Sequence, residues 1–171
     1  MRWAIWITGP PASGKTSLAR AFLEIASRRV VRAVHLESDA LRRILTREPT
    51  YAPEERDRFY RQVSALAALL VVQGFPVVVD ATAPLRRHRD FARSRIDRFF
   101  EIFLDAPREL REARDPKGLY RLAREGGAPY LPGATDAYEP PSRPDLVLSG
   151  ALPPSDGAAA LVSFAEDQGL L

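Results

Sequence analysis

The stretch GPPASGKTS, residues 9–17, fits the phosphate-binding pattern G-x-x-x-x-G-K-[ST]. The apolar, aromatic and β-branched run RWAIWIT (2–8) precedes it, and the amphipathic pattern KTSLARAFLEIASR (15–28) follows it. In this strand–loop–helix order, the N–H groups of the loop and of the helix N-terminus point at a bound phosphate. The sequence therefore predicts a nucleotide-binding loop between the first strand and the first helix.

Each part of this loop has an expected role in binding ATP and Mg²⁺. The two glycines let the backbone turn tightly around a phosphate. The lysine, which is also a predicted catalytic residue, places a point charge between the β- and γ-phosphates. The threonine is a predicted Mg²⁺ ligand. The predicted ATP-binding residues of the loop are Gly9, Pro10, Pro11, Ala12, Ser13, Gly14, Lys15, Thr16 and Ser17.

Outward from the loop, predicted strands alternate with predicted helices. The further strands are predicted at residues 33–38, 75–82, 98–106 and 145–149. The further helices are predicted at residues 39–46, 52–74, 83–97, 107–115 and 153–171. This alternation predicts the doubly wound P-loop NTPase fold, an α/β sheet of about five mostly parallel strands flanked by helices. Residues 1–171 are expected to form a single domain.

The segment from about residue 115 to 144 differs in composition from the rest of the chain. Gly, Pro and Tyr accumulate in PKGLYRLAREGGAPYLPGATDAYEPPSRP, residues 116–144. A loop this long in a compact domain is usually functional, so the segment is predicted to form a lid. It contains Lys117, one of only two lysines against 23 arginines in the chain; the other lysine is Lys15.

The composition excludes several kinds of chemistry. Because the chain has no cysteine, it has no disulfide, thiolate nucleophile or cysteine-ligated zinc. Its two histidines, His35 and His88, are too few and too far apart to indicate a metal site. No apolar run reaches membrane-spanning length, and a net charge of +3 is a weak signal for nucleic-acid binding. We expect a soluble cytoplasmic protein with a small anionic ligand.

Two carboxylates follow predicted strands whose carboxyl ends should meet the phosphate-binding loop. Asp39 follows the second strand, where it is expected to accept a proton from a substrate hydroxyl or to hold Mg²⁺. Arg42 lies one helical turn further on and could clamp an anionic substrate; a helix N-cap with a surface arginine is the alternative. Asp80 ends the strand VVVD, either as a Walker B-like Mg²⁺ ligand or as a helix cap. The helix that follows is expected to carry a solvated face with Arg86, Arg87 and Arg89.

The chain resembles adenylylsulfate kinases (APS kinases), which transfer the γ-phosphate of ATP to the 3′-hydroxyl of adenosine 5′-phosphosulfate (APS). The resemblance covers nearly the full length. It rests on GPPASGKTS, on LESDALR where the family has L-D-G-D-N-x-R, on YAPEERDRFYRQV and on APLRRHRD. The most specific match is FFEIFLDAPRELREARDPKGLYRLAREG followed by LPGATDAYEPPSRPDLVL.

The resemblance implies roles for residues throughout the site. Lys117 would meet phosphate or sulfate from the lid while Lys15 meets it from below, so that both lysines serve one reaction as catalytic residues. Asp39 matches the second Asp of the family motif, the base or metal partner. It further implies that Arg111 and Arg114 bind ATP and that Arg42 and Arg56 bind the substrate. The resemblance also implies a homodimer.

The acceptor half departs from the family pattern. APS kinases hold the substrate adenine between two phenylalanines, and the residues matched to them are Ala81 in ATAP and Leu131 in LPG. Because stacking a base on an aromatic ring contributes about 1–3 kcal/mol, both losses would weaken APS binding unless Tyr130 or Phe59 substitutes. Ala83 stands where the family has a serine, so no phosphoenzyme can form there. The full set of predicted substrate-binding residues is Asp39, Arg42, Arg56, Phe59, Ala81, Thr82, Lys117 and Leu131, and the predicted metal ligands are Thr16, Asp39 and Asp80.

Three functions stay open at this point. The first is an ATP-dependent kinase of APS, which the lid sequence favours. The second is a kinase on the same scaffold with another acceptor, such as a different nucleotide conjugate, a sugar nucleotide or a small alcohol. VVVDAT and SDALR are also similar to segments of P-loop kinases of the polynucleotide-kinase and zeta-toxin kind. The third is a nucleotide-binding regulatory or nucleic-acid-binding module without catalysis, which the presence of both lysines and Asp39 disfavours.

Overall fold

A computed structural model describes residues 2–171. Its strands form one sheet in the order β2-β3-β1-β4-β5, with every neighbouring pair parallel. The strands are β1 (Ala4–Thr8), β2 (Val34–Glu37), β3 (Val77–Asp80), β4 (Phe99–Asp105) and β5 (Leu146–Ser149). The predicted doubly wound α/β fold is therefore confirmed.

Seven helices accompany the sheet within the described residues. They are α1 (Lys15–Arg28), α2 (Ser38–Leu45), α3 (Pro53–Val72), α4 (Arg86–Arg93), α5 (Arg108–Arg114), α6 (Leu119–Arg124) and α7 (Pro154–Asp167). The sequence patterns did not predict α6, which lies in the lid. No helix among residues 2–171 is both long enough and apolar enough to cross a membrane.

The central strand β1 is buried along its whole length and divides the core into two layers. Because alternate side chains of a strand face opposite sides of the sheet, Ile5 and Ile7 pack with α1 and α7, whereas Ala4 and Trp6 pack with α3 and α4. Helices on both faces explain why β1 and β3 are buried at every position and are apolar over nearly their whole length rather than alternating. The polar loops are thereby confined to the ends of the strands.

The register of the strands determines what lies beside the phosphate-binding loop. Asp80, the last residue of β3, pairs with Ile7 of β1, two residues before the loop begins at Gly9. Glu37 pairs with Asp80 on the other side, so the start of α2 reaches the same edge. Ligands of open α/β sheets bind at this carboxyl edge.

The prediction of a solvated arginine face at residues 86–89 is wrong for Arg89. Its side chain is 1 % exposed, and Nε donates to Glu101 Oε1 at 2.7 Å. The other guanidinium nitrogens donate to the carbonyl oxygens of Ala83 and Glu139, so the side chain joins α4, β4 and the end of the lid. The sequence pattern of α4 could not show this, because the buried carboxylate that attracts Arg89 belongs to strand β4. Arg87 does remain exposed, at 58 %.

We expect Arg89→Met to destabilise the fold by about 3–5 kcal/mol, because it leaves Glu101 buried with only the partly exposed Arg93 as an ionic partner. Arg87→Met is the matched control on the same helix, since it removes an exposed pair with Asp57 and should cost at most about 1 kcal/mol. Urea unfolding of both variants measures the difference. Equal and small losses would contradict the structural role of Arg89.

Candidate active site

A cavity of about 790 Å³ lies at the carboxyl edge of the sheet. The phosphate-binding loop, the end of β3, the start of α2, the N-terminal half of α3 and the lid line it. Of the predicted site residues outside the loop, Asp39, Arg42, Arg56, Phe59, Asp80, Thr82, Lys117 and Leu131 line the cavity. The fold therefore gathers, in one place, residues that are far apart in the sequence.

The phosphate-binding loop requires both of its glycines. A Cβ atom at Gly9 would lie 2.6 Å from the carbonyl oxygen of Leu104 and 2.8 Å from Ser13 Oγ, which is closer than real atoms approach. Gly14 has φ of 99°, in the left-handed region that side chains other than glycine's disfavour, and it immediately precedes α1. The loop thus wraps tightly before the helix N-terminus, the geometry that suits a phosphate.

Lys15 is buried, and its Nζ donates to the carbonyl oxygen of Pro10 at 2.9 Å across the loop. Burial lowers the pKa of Lys15 from 10.5 to about 8, although the nearby carboxylates of Asp80 and Asp39 act in the opposite direction. The side chain therefore lies in a poorly solvated site in which an added anion would strongly favour the charged ammonium form.

Thr16 and Asp80 place two oxygen donors together beside the loop. Thr16 Oγ1 donates to Asp80 Oδ1 at 3.3 Å, and the other carboxylate oxygen, Oδ2, lies 2.7 Å from His35 Nε2. A hydroxyl and a carboxylate are hard donors of the kind that Mg²⁺ prefers. The histidine partner of Asp80 was not anticipated, because it comes from the neighbouring strand β2.

The second lysine joins the lid to the start of α2. Lys117 Nζ forms an ion pair with Asp39 Oδ2, and both side chains are about half exposed, at 57 % and 50 %. Lys117 also opposes protonation of Lys15, so the two lysines act on each other electrostatically within one cavity. Because an exposed pair contributes little to stability, phosphate could replace this contact readily.

Arg42 and Arg56 line the cavity but are already engaged. The Arg42 guanidinium carbon lies 3.8 Å from the centroid of the Phe59 ring, and its Nη1 donates to Glu55. Arg56 donates to Asp136 Oδ2 at 2.7 Å and to the carbonyl oxygen of Tyr130 at 2.6 Å. Arg56 therefore anchors the far end of the lid in this structure.

Arg111 and Arg114, predicted to bind ATP, do not line the cavity. Arg111 is buried and donates to the carbonyl oxygen of Ala106 at 3.0 Å and to Tyr120 Oη at 2.5 Å. Arg114 donates to the carbonyl oxygen of Gly150 at 2.7 Å. The two arginines therefore bind other parts of the protein in this structure.

The Tyr120 hydroxyl links the lid to the phosphate-binding loop. It donates to the carbonyl oxygen of Pro11 at 3.1 Å, and it also receives the hydrogen bond from Arg111. Because Tyr120 belongs to α6, this contact ties the lid helix to the loop that faces the phosphates.

The predicted substrate contact at Ala81 does not fit this structure. Ala81 is completely buried and packs in the same core layer as Val79, whereas Asp80 and Thr82 face the cavity. The reason is the alternation of side chains, which continues beyond the end of β3. A different ring, Tyr51, lines the cavity instead and is 46 % exposed. The signal available in the sequence for Tyr51 was its position immediately before the predicted helix at residues 52–74.

Comparison with known proteins identifies several that are similar to this chain. A family model described as adenylylsulphate kinase matches residues 1–149. The chain is 37 % identical over 161 residues to the adenylyl-sulfate kinase of Paraburkholderia xenovorans, covering 93 % of this chain and 90 % of that protein. It is 37 % identical over 148 residues to a probable adenylyl-sulfate kinase of Archaeoglobus fulgidus, covering 86 % and 96 % respectively.

A solved structure has the same fold with ligands present. The Mycobacterium tuberculosis APS kinase CysC in complex with AMPPNP and APS superposes with a TM-score of 0.91 at 34 % identity, covering 96 % of this chain and 98 % of that one. The similarity therefore extends over nearly the whole chain, so it includes most of the lid as well as the sheet.

We expect ATP binding to take up a proton above pH 8. At pH 8.5 most of Lys15 would be neutral in the free protein, since its pKa is about 8, whereas bound phosphates favour the ammonium. Calorimetric binding enthalpies should therefore depend on the ionisation enthalpy of the buffer at pH 8.5, and ATP affinity should fall as the pH rises further. The control Lys15→Met should remove the buffer dependence. A buffer-independent enthalpy for the unmodified protein would contradict this assignment.

Proposed function

This chain belongs to the adenylylsulfate kinase family, and we propose that it transfers the γ-phosphoryl group of ATP to the 3′-hydroxyl of APS. One observation carries the proposal: a complete phosphate-binding loop shares a single cavity with Asp39 and the lid residue Lys117. The loop would supply the donor site, Asp39 the base, and Lys117 a cation beside them. ATP and APS would thus meet within one cavity.

In the donor half, the loop N–H groups and Lys15 would bind the β- and γ-phosphates. Thr16 and Asp80, whose oxygens lie 3.3 Å apart, would hold Mg²⁺ together with phosphate oxygens. The ion would supply neutralisation of phosphate charge. Asp39 borders the same cavity and could contribute to this site through water.

In the acceptor half, Asp39 is the proposed base. The acceptor oxygen attacks the γ-phosphorus in line, the bond to the bridging oxygen breaks, and ADP leaves with that electron pair. The hydroxyl proton passes to the Asp39 carboxylate. When Lys117 moves from Asp39 to the transferring phosphoryl group, it stabilises the developing charge and leaves the carboxylate free. No covalent enzyme intermediate is involved.

Binding of APS would use the cations and rings around the rest of the cavity. Arg42 and Arg56 would face the phosphosulfate group, since both line the cavity and are always charged. Tyr51 and Tyr130, which are 46 % and 39 % exposed, are the half-exposed rings of the cavity wall and offer stacking surfaces for adenine. They would take the place of the two phenylalanines of the family pattern, whose matched positions in this chain are Ala81 and Leu131.

Leu131 favours a second candidate, a kinase of the same scaffold with another acceptor, because it lines the cavity where a stacking ring was expected.

We further propose that the protein is a homodimer located in the cytoplasm, where ATP is available. The dimer rests on family membership alone, and sedimentation equilibrium tests it.

The proposed activity predicts APS-dependent release of ADP from Mg-ATP, with a product whose mass corresponds to APS plus one phosphoryl group. Coupled ADP detection and mass spectrometry of the product measure both. Tight ATP binding without turnover of APS would reject the proposal. A panel of nucleotide conjugates, sugar nucleotides and small alcohols would then identify the acceptor of the second candidate.

Replacing the base should strongly slow turnover without abolishing ATP binding. We expect Asp39→Asn to lower kcat by about 10²–10⁴-fold, the usual contribution of general base catalysis. Lys117→Ala should slow transfer while leaving ATP affinity nearly unchanged. Loss of ATP binding in Lys117→Ala would show that the lid has been assigned to the wrong half of the site. Full turnover by Asp39→Asn would exclude its role as the base.

Loss of a stacking ring should weaken the acceptor complex specifically. Tyr51→Leu is expected to raise the KM for APS by an amount equivalent to about 1–3 kcal/mol, with little change in the KM for ATP. Phe75→Leu is a matched control, because Phe75 is similarly exposed, at 47 %, but lies away from the cavity. Equal effects of the two substitutions would show that Tyr51 does not contact the base.

A further inference from the structure

The loop between α2 and α3 presents Tyr51 in an uncommon backbone conformation. Tyr51 has φ of 60°, in the left-handed region that a bulky side chain rarely adopts. Such conformations persist only where surrounding contacts enforce them, and they are concentrated at functional sites. The contacts that enforce this one therefore help to determine where the Tyr51 ring lies in the cavity.

Those contacts come largely from one carboxylate, Glu55, in the first turn of α3. Its Oε2 accepts hydrogen bonds from the backbone N–H groups of Thr50 and Tyr51, each at 2.7 Å, and from Thr50 Oγ1 at 3.2 Å. The Glu55 side chain is only 11 % exposed, so it is a fixed acceptor beneath the loop rather than a mobile surface group.

The other oxygen of the same carboxylate holds Arg42. Glu55 Oε1 accepts a hydrogen bond from Arg42 Nη1, and the two side chains are almost equally buried. The Arg42 guanidinium also lies against two rings, 3.8 Å from the Phe59 centroid and 4.8 Å from the Tyr51 centroid. Glu55 thus contacts the backbone that carries one cavity ring and the cation that packs against that ring.

We propose that Glu55 is a positioning residue for the acceptor, because its carboxylate fixes Tyr51 and Arg42 together in the geometry that binds APS. The inference rests on the proposed function and adds a residue that touches neither substrate. One oxygen places the stacking ring and the other places the guanidinium, so a single side chain couples recognition of the base to recognition of the anionic group.

The electrostatics of Glu55 agree with this geometry. Burial alone would raise the pKa of Glu55, but the N–H groups of Tyr51 and Thr50 and the charge of Arg42 together lower it below its ordinary value. The side chain therefore remains a carboxylate at neutral pH and can accept all four hydrogen bonds at once.

A purely structural role is the competing explanation, because an acidic residue in the first turn also stabilises a helix. That role predicts a lower melting temperature with unchanged kinetic constants. Glu54 is the matched control: it lies in the same first turn but is exposed. Glu54→Gln should leave the KM values for APS and ATP unchanged.

The test compares steady-state kinetics of Glu55→Ala, Glu55→Gln, Glu55→Asp and Glu54→Gln, each assayed well below its own melting temperature. We expect Glu55→Ala to raise the KM for APS at least tenfold while the KM for ATP changes less than twofold. The amide of Glu55→Gln has only one acceptor oxygen, so its N–H₂ group must face either Arg42 or the loop. The KM for APS of this variant should therefore also rise. Glu55→Asp should recover part of the loss.

A double-mutant cycle tests the route of the effect. If Glu55 acts through Tyr51, then Glu55→Ala should raise the KM for APS much less in a Tyr51→Leu background than in the unmodified protein. An unchanged KM for APS in both Glu55→Ala and Glu55→Gln would overturn the inference, as would equal increases for APS and ATP. If Glu55→Ala does not fold, Glu55→Gln decides. Absence of APS turnover by the unmodified protein would instead reject the proposed function, and this inference with it.

Discussion

The buried ammonium group of Lys15 imposes the main constraint on this site, because a desolvated charge is costly unless opposite charge lies near it. The carboxylates that act on it most strongly are those of Asp80, at the end of β3, and Asp39, at the start of α2. Parallel strands deliver both groups to the edge of the sheet at which the phosphate-binding loop leaves β1. The strand order thus brings the cation of the loop and the two acids into one cavity.

Arginine and lysine make different kinds of contact in the interior and at the site of this protein. Arginine has five N–H donors in one plane, so one buried side chain can join several acceptors. Arg89 joins three segments in this way, and Arg56 holds two points of the lid. Each lysine instead has one acceptor in the described structure, the Pro10 carbonyl oxygen or Asp39. A lysine with one acceptor can turn its ammonium group to a phosphate by giving up a single contact, whereas Arg89 would have to give up three hydrogen bonds.

The sequence was sufficient to predict the sheet and most of the cavity, because a parallel strand covered on both faces is apolar throughout and functional residues follow its carboxyl end. It was insufficient where a position depends on a partner elsewhere in the chain. Arg89 is buried because Glu101 is, and the conformation of Tyr51 depends on Glu55. Helix α6 was not predicted because it has only six residues and no sustained apolar period. Its first turn depends instead on Asp115, whose carboxylate accepts hydrogen bonds from the backbone N–H groups of Tyr120 and Arg121.

The contacts of the lid differ in strength, and this difference indicates which part can move during the reaction. Its far end is held by the buried Arg56, and its helix by the hydroxyl of Tyr120 against the phosphate-binding loop. Between these anchors, Lys117 holds Asp39 only through an exposed pair, of a type that contributes about 0.2–1 kcal/mol. The rearrangement with the lowest cost is therefore transfer of the Lys117 ammonium from Asp39 to phosphate. In the proposed mechanism, that exchange would leave the anchors intact and free Asp39, the proposed base, once ATP is bound, so that ATP binding would prepare Asp39 for the acceptor.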